Sequence, residues 1–252
     1  MRRYLFFYAL AGLMALACIR LGFWQLGRLS ERRQANALVE ARLQQPAVSF
    51  AELPGDTAQS RYRRVTLEGT YDLDYEFLLI GRSHNGSPGV YFVTPLRLAG
   101  TDTAVLVNRG WVYAPDAMTV DQSRWREPGP VRVTGFVQTF HPDGPGSSSV
   151  PDRPRSMRRT DPAPMAASLP YPIAGAYVVA TAQAGDSAVR AARGDVLPVR
   201  LDPPPLDEGS HLSYAFQWFS FAAIAIAGAA VVYRNNRAQS RAAPRREVAS
   251  AR

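Results

Sequence analysis

Two apolar stretches bracket a long region of short, alternating runs. Tyr4–Trp24 is broken only by Arg20, and His211–Tyr233 contains no Asp, Glu or Arg. At 1.5 Å rise per residue each is long enough to cross a hydrocarbon core of about 30 Å as a helix. Ala15-Leu16-Ala17 has the form of a signal-cleavage site, and Cys18 could serve a lipoprotein. The apolar run nevertheless continues past both and ends on Trp24, a residue type that anchors helices at the membrane interface, so the segment reads as a retained anchor. Leu26–Gln45 is rich in helix formers and predicts a continuation of the first helix, stopped by Pro46.

Beyond Pro46 the pattern switches to short β-branched and aromatic runs between turn residues. Tyr62–Tyr71, Glu76–Ser83, Gly89–Leu98, Ala104–Tyr113 and Val131–Phe140 read as strands, with Ala176–Gln183 and Val196–Leu201 adding two more. In VRVTGF, Val131, Val133 and Gly135 fall on one face. The HNGSPG and LAGTDTA stretches predict tight reversals and hence antiparallel neighbours. His141–Pro172, loaded with Pro, Ser and Gly, reads as an irregular excursion, with Asp161-Pro162 capping one short helix through Leu169. The predicted fold is a membrane-anchored α+β protein, two transmembrane helices flanking an external, mainly antiparallel β domain.

Charge orients this arrangement. Of the net +8, Arg2 and Arg3 supply +2 and the tail from Arg234 supplies +5, so the body between them is close to neutral. Cations gathered at the two ends mark them as cytoplasmic, whereas a nucleic-acid-binding domain would carry its cations on the folded body. The chain then divides into a cytoplasmic start (1–3), a first span (4–25), an external domain (26–209), a second span (210–233) and a basic tail (234–252) too poor in apolar residues to order. In a bacterium the external domain would be periplasmic and the membrane the inner, plasma membrane. There is no lysine, which removes Walker-loop and Schiff-base chemistry. Cys18 is the only cysteine, and His84, His141 and His211 are far apart, so neither a disulfide framework nor a recognisable metal motif is present. Without a nucleophile–base pair at a known spacing, the chain does not read as an enzyme.

Four stretches carry candidate chemistry. GRSHNGSPGVYFVTP (Gly81–Pro95) reads as a hairpin in which His84 bonds locally. In VLVNRGWV (Val105–Val112), Arg109 is either part of a structural turn or an anion binder. In LGFWQLGR (Leu21–Arg28), Arg20, Trp24 and Arg28 recur every four residues along one side of a helix. They form an interfacial belt, or an anion-binding rim at the outer face. In HLSYAFQWF, His211, Tyr214 and Trp218 share one helical stripe. That stripe is an aromatic belt with an interfacial histidine, or an axial ligand to haem iron with aromatics packed on the macrocycle. The outer ends of the two spans must lie at similar depth, which places Trp24–Arg28 level with His211–Trp218.

In order and spacing these four stretches resemble the Surfeit locus protein 1 family, over residues 20 to 235. The proline-rich run near Pro142–Pro154 and the lack of a tryptophan before Asp161 depart from the family pattern. The resemblance implies help in delivering or inserting haem a into the catalytic subunit of cytochrome c oxidase, alongside other oxidase assembly factors. It assigns His211 as the haem-iron ligand and matches Trp24 and Arg28 to the family's first-helix motif. Tyr214 and Trp218 would then pack on the ring, and Arg28 with Arg20 would pair with its propionates. The alternative is a membrane-tethered interaction protein that stabilises an oxidase subunit or intermediate without touching haem.

Overall fold

A computed structural model describes residues 2–182 and 198–242. They form two compact units: the first helix up to Leu38 together with the chain from Leu206, and a domain from Val39 to Pro205.

Helix α1 spans Arg2–Gln44, a single-turn α2 spans Thr57–Ser60, and α4 spans His211–Ala242; α1 and α4 are long and apolar enough to cross a membrane. As the sequence predicts, α1 runs past its apolar part and stops just before Pro46, which cannot donate to the next turn.

The domain is built on one mixed sheet. Its strands are β1 (Val48–Ser49), β2 (Arg64–Tyr71), β3 (Phe77–His84), β4 (Ser87–Leu98), β5 (Ala104–Tyr113), β6 (Pro130–Thr139), β7 (Ser149–Val150), β8 (Arg153–Met157) and β9 (Ala176–Ala180). The spatial order is β1-β2-β6-β9-β5-β4-β3-β8-β7, and β2 also pairs with β4. Strands β2, β6, β9, β5 and β4 therefore close into a five-stranded barrel. Val65, Leu67, Tyr71, Leu96, Val105, Val107, Val133, Val137 and Val178 belong to its core. Val133 and Gly135 are buried on the face that the VRVTGF alternation predicts.

The expected, mainly antiparallel pairing is present, within a sheet that is mixed. Pairs β1–β2, β3–β8 and β5–β9 are parallel, because β1, β8 and β9 each join the sheet through a crossover rather than a tight turn. Strand β5 has the predicted limits and is buried along nearly its whole length, its polar Asn108 and Arg109 included. The β3–β4 reversal uses Asn85 and Gly86, both at positive φ (49° and 79°), as a two-residue hairpin turn requires.

Two further differences concern the excursion and the last strand. His141–Pro172 is not wholly irregular: β7 and β8 form a small hairpin whose inner strand extends the sheet beside β3. Helix α3 (Pro162–Ala167) follows, and Asp161 caps it by accepting from the Ala163 amide. At the seventh predicted strand, Val196 and Leu197 lie outside the described residues. Val199 makes a single antiparallel bridge to Trp111 instead of a strand. Pro198 has no amide hydrogen to extend that ladder. Gln183 and the end of the basic tail also lie outside the described residues.

Met165 projects from α3 into a second cluster with Phe77, Leu79, Val93, Leu106 and Met157, and is fully buried. Met165→Ala is expected to lower stability by about 2–3 kcal/mol, the low end for a core truncation because a short surface helix can settle into the gap. Denaturant titration of the full chain would read this as a lower midpoint with unchanged slope.

Candidate functional site

The two long helices pack antiparallel through small residues. On α1, Ala15, Cys18, Gly22, Gln25 and Leu29 are buried, recurring at intervals of three and four. On α4 the buried positions are Ala215 and Ala222, seven apart. Where lipid replaces water, such a seam gains from close van der Waals contact rather than from the hydrophobic effect. Gly22 makes room for a ring of the other helix: a β-carbon there would stand 2.6 Å from Cε1 of Phe219. Towards the chain ends, Asn236 Nδ2 donates to the Tyr8 hydroxyl at 3.3 Å, and the Tyr8 and Tyr233 rings meet edge to face.

At the opposite end of the seam, His211 Nδ1 lies 2.9 Å from Gln25 Oε1. The turn before α4 is held down on α1. Arg33 makes a two-point contact with Glu208 (2.7 and 2.8 Å), and Arg32 and Asn36 both donate to the Asp207 carbonyl. Glu208 is kept below the ordinary carboxyl range by its hydrogen bond from Arg33. The Arg33–Glu208 pair is about half exposed, so it fixes geometry more than it adds stability.

These elements enclose a cleft of about 410 Å³ lined by Arg28, Glu31, Arg32, Ala35, Asp207, Gly209 and His211. Of the residues singled out in the sequence, the cleft brings together His211 and Arg28. Arg28 is exposed and, among the described residues, pairs with Glu31, one turn away at 2.6 Å, a pair weak enough to yield to a stronger anion. Trp24 and Tyr214 are about half exposed and Arg20 is exposed, while Trp218 is half-buried with its ring against Phe221; none of these four lines the cleft. The His211–Tyr214–Trp218 stripe therefore splits: Trp218 is on the same side of α4 as Ala215 and Ala222 but about 10 Å of helix rise beyond His211, and Tyr214 is turned towards the exposed side. Sequence reasoning missed Gln25, Arg32 and Asp207. Gln25 was legible as the one polar residue in the buried run of α1 at helical spacing.

The external domain holds a second polar cluster, centred on Arg109, which is fully buried. Arg109 Nη1 meets Glu76 at 2.5 Å, its Nε and Nη2 meet Glu127 at 3.0 and 2.8 Å, and Nη2 also donates to the Trp125 carbonyl. Thr94 and Gln122 donate to Glu76. Arg200 closes the set, donating to the Arg109 carbonyl and facing Glu127. Burial works against the Arg109 charge, but Glu76 and Glu127 outweigh it and hold its pKa above the ordinary value. Burial, reinforced by Glu127, likewise lifts the adjacent Tyr71 hydroxyl well above the ordinary tyrosine range and keeps it neutral. With every charge compensated, the cluster is an internal brace, and Arg109 has no free edge for an anion. His84 sits on the turn beside Asn85 (3.3 Å), its ring 5.3 Å from that of Trp111. Among the described residues no group of three His, Cys, Asp or Glu side chains could hold a metal ion.

Comparison with known proteins bears on the helix pair and the domain together. A model described as the SURF1 family matches residues 12–223, a span that includes both Gln25 and His211. The chain is 29% identical over 254 residues to a SURF1-like protein of Monosiga brevicollis, covering 90% of this chain and 88% of that protein. A SURF1-like protein of Rickettsia felis is 34% identical over 107 residues, 42% of this chain and 46% of the other. An uncharacterised SURF1-like protein of Mycobacterium tuberculosis is 27% identical over 211 residues, covering 81% of this chain and 73% of its own length.

Proposed function

The chain belongs to the SURF1 family, a family of oxidase assembly factors, and on that premise we propose that it binds haem a transiently and aids its insertion into the catalytic subunit of cytochrome c oxidase. It does so by binding rather than by catalysis. The observation that carries this reading is the cleft at the His211 end of α4: an imidazole half-buried against α1, beside the guanidiniums of Arg28 and Arg32. That donor set fits a haem. A neutral imidazole supplies an axial nitrogen to the iron, and guanidiniums recognise carboxylates through paired N–H donors. His211 would ligate the iron and Arg28 would pair with a propionate, joined by Arg32 from the same cleft. Trp24, Arg20, Tyr214 and Trp218, which lie outside the cleft lining, would contribute the surrounding aromatic and cationic surface. Bound haem supplies the redox iron of the mature oxidase; the protein supplies a ligand, charge complementarity and a site open enough to release it.

Both termini would be cytoplasmic in the bacterial inner membrane, with the domain in the periplasm, so that the cleft lies at the outer membrane surface. The partners would be the oxidase catalytic subunit and its other assembly factors.

The test is an absorption spectrum of protein purified from cells that make haem a. The expected result is a haem signal in the wild type that falls at least tenfold in His211→Ala, with a partial loss in Arg28→Ala. Equal haem content in the wild type and His211→Ala would overturn the ligand assignment. It would favour an interaction protein that stabilises an oxidase intermediate without binding haem.

A further inference from the structure

We infer that Gln25 is a positioning residue for His211, holding the imidazole in the tautomer that leaves its outer nitrogen free to bind a metal. The inference rests on the proposed role of His211 as haem ligand, but its central claim concerns the protein alone.

The geometry is simple. His211 Nδ1 faces the amide oxygen of Gln25, Oε1, at 2.9 Å. An amide oxygen can only accept, so Nδ1 must carry the ring proton. A neutral imidazole has one proton, and Nε2 is then left with its lone pair exposed. This is the arrangement found around protein-bound metals, where the second ring nitrogen is fixed by a hydrogen bond from outside the coordination sphere and the ligand becomes more basic.

Three further observations tie Gln25 to this task. It is 9% exposed, and no other hydrogen-bond partner for its side chain is among those described, so without His211 its oxygen would stand unsatisfied in the seam. It lies on the buried stripe of α1 one turn beyond Gly22, over which the ring of Phe219 packs. The turn before α4 is fastened independently by Arg32, Arg33 and Asn36 to Asp207 and Glu208. The start of α4 is thus fixed along its axis by backbone-directed contacts, and what remains for Gln25 is the ring's rotation and protonation. Gly209, on the other side of the ring, would place a β-carbon 3.7 Å from Nε2; as glycine it leaves that nitrogen uncovered.

The experiment uses full-length protein in lipid nanodiscs with ¹⁵N-labelled histidine, the His211 resonances being identified by their loss in His211→Ala. Without haem, wild-type His211 is expected to show a protonated Nδ1 and a bare Nε2. Gln25→Leu should shift the population towards the Nε2–H form favoured by free histidine, and Gln25→Glu, which keeps an acceptor, should retain the wild-type tautomer. Titration with haemin, followed by difference absorption, should show Gln25→Leu binding about tenfold or more weakly and Gln25→Glu within about threefold of wild type. A wild-type His211 protonated at Nε2, or a Gln25→Leu protein with unchanged tautomer, would overturn the inference. Haemin binding untouched by His211→Ala would instead sink the haem-ligand reading, leaving the haem-free tautomer measurement to decide the role of Gln25.

Discussion

Replacing Arg109 by leucine is expected to destabilise the external domain by about 3–5 kcal/mol, because it leaves Glu76 and Glu127 buried without their common partner. The sign follows from what removal does to the neighbours rather than from what the ion pair contributes. Two guanidiniums, Arg109 and Arg200, face two carboxylates, so the set is neutral as a whole. Its net contribution relative to a well-packed apolar core is small, but subtraction of one member strands a charge. Glu76 is the more exposed to this loss, being 4% exposed and retaining only Thr94 and Gln122 as donors. Denaturant titration of the full chain at neutral pH would measure the loss. Adding Glu76→Gln to Arg109→Leu should recover at least about 1 kcal/mol; an additive loss in the double variant would mean that the two residues do not form one electrostatic unit.

The second large effect is expected one residue further on. Gly110 has φ of +129°, a backbone region essentially closed to other residues. A β-carbon there would also stand 2.2 Å from the carbonyl oxygen of Val199. Alanine therefore meets strain and collision together, and the collision is with main chain that cannot swing aside. Because Trp111 and Val199 exchange two backbone hydrogen bonds of 2.8 Å, relief comes by lifting the Val199–Arg200 segment off β5. Gly110→Ala is expected to cost about 3 kcal/mol and to abolish hydrogen-exchange protection at the Val199 amide. Gly100→Ala is the control: φ is +79° with open space around it, so it should cost about 1 kcal/mol of strain and leave Val199 protected. Equal behaviour of the two variants would show that the crossing segment adds nothing to the domain.

How far the sequence foretold these features depends on the distance over which each is encoded. The two long helices, the stop before Pro46, the β3–β4 turn and the Asp161 cap are written in neighbouring residues, and all were legible. Strand β5 was legible too, from the apolar run Ala104–Val107 and its continuation in Trp111 and Val112. The role of Arg109 was not, because its partners stand 33 residues before it and 18 residues after it. Nothing local distinguishes a buried arginine from one in a turn. Strands β7 and β8 were hidden in a proline-rich run because they owe their existence to the edge of β3, not to their own propensity. In the helix pair the sequence singled out His211 and Arg28, which share the cleft. It passed over Gln25, whose significance lies in the residue opposite rather than in its own type.

The topology also sets a timetable. When residues up to Thr139 have left the ribosome, β2 to β6 are all present, yet the barrel cannot close. The gap between β5 and β6 is filled by β9, which arrives only with Ala176–Ala180. Until then two strand edges stand open, the kind of surface on which chains misassociate. Once β9 slots in, both edges vanish in one step, while His211 and the second apolar helix are still 30 residues from β9 in the sequence. A chain synthesised from its amino end thus holds every stave of a closed barrel before its second anchor is made, and the helix that completes the cleft is added only after the barrel's strands.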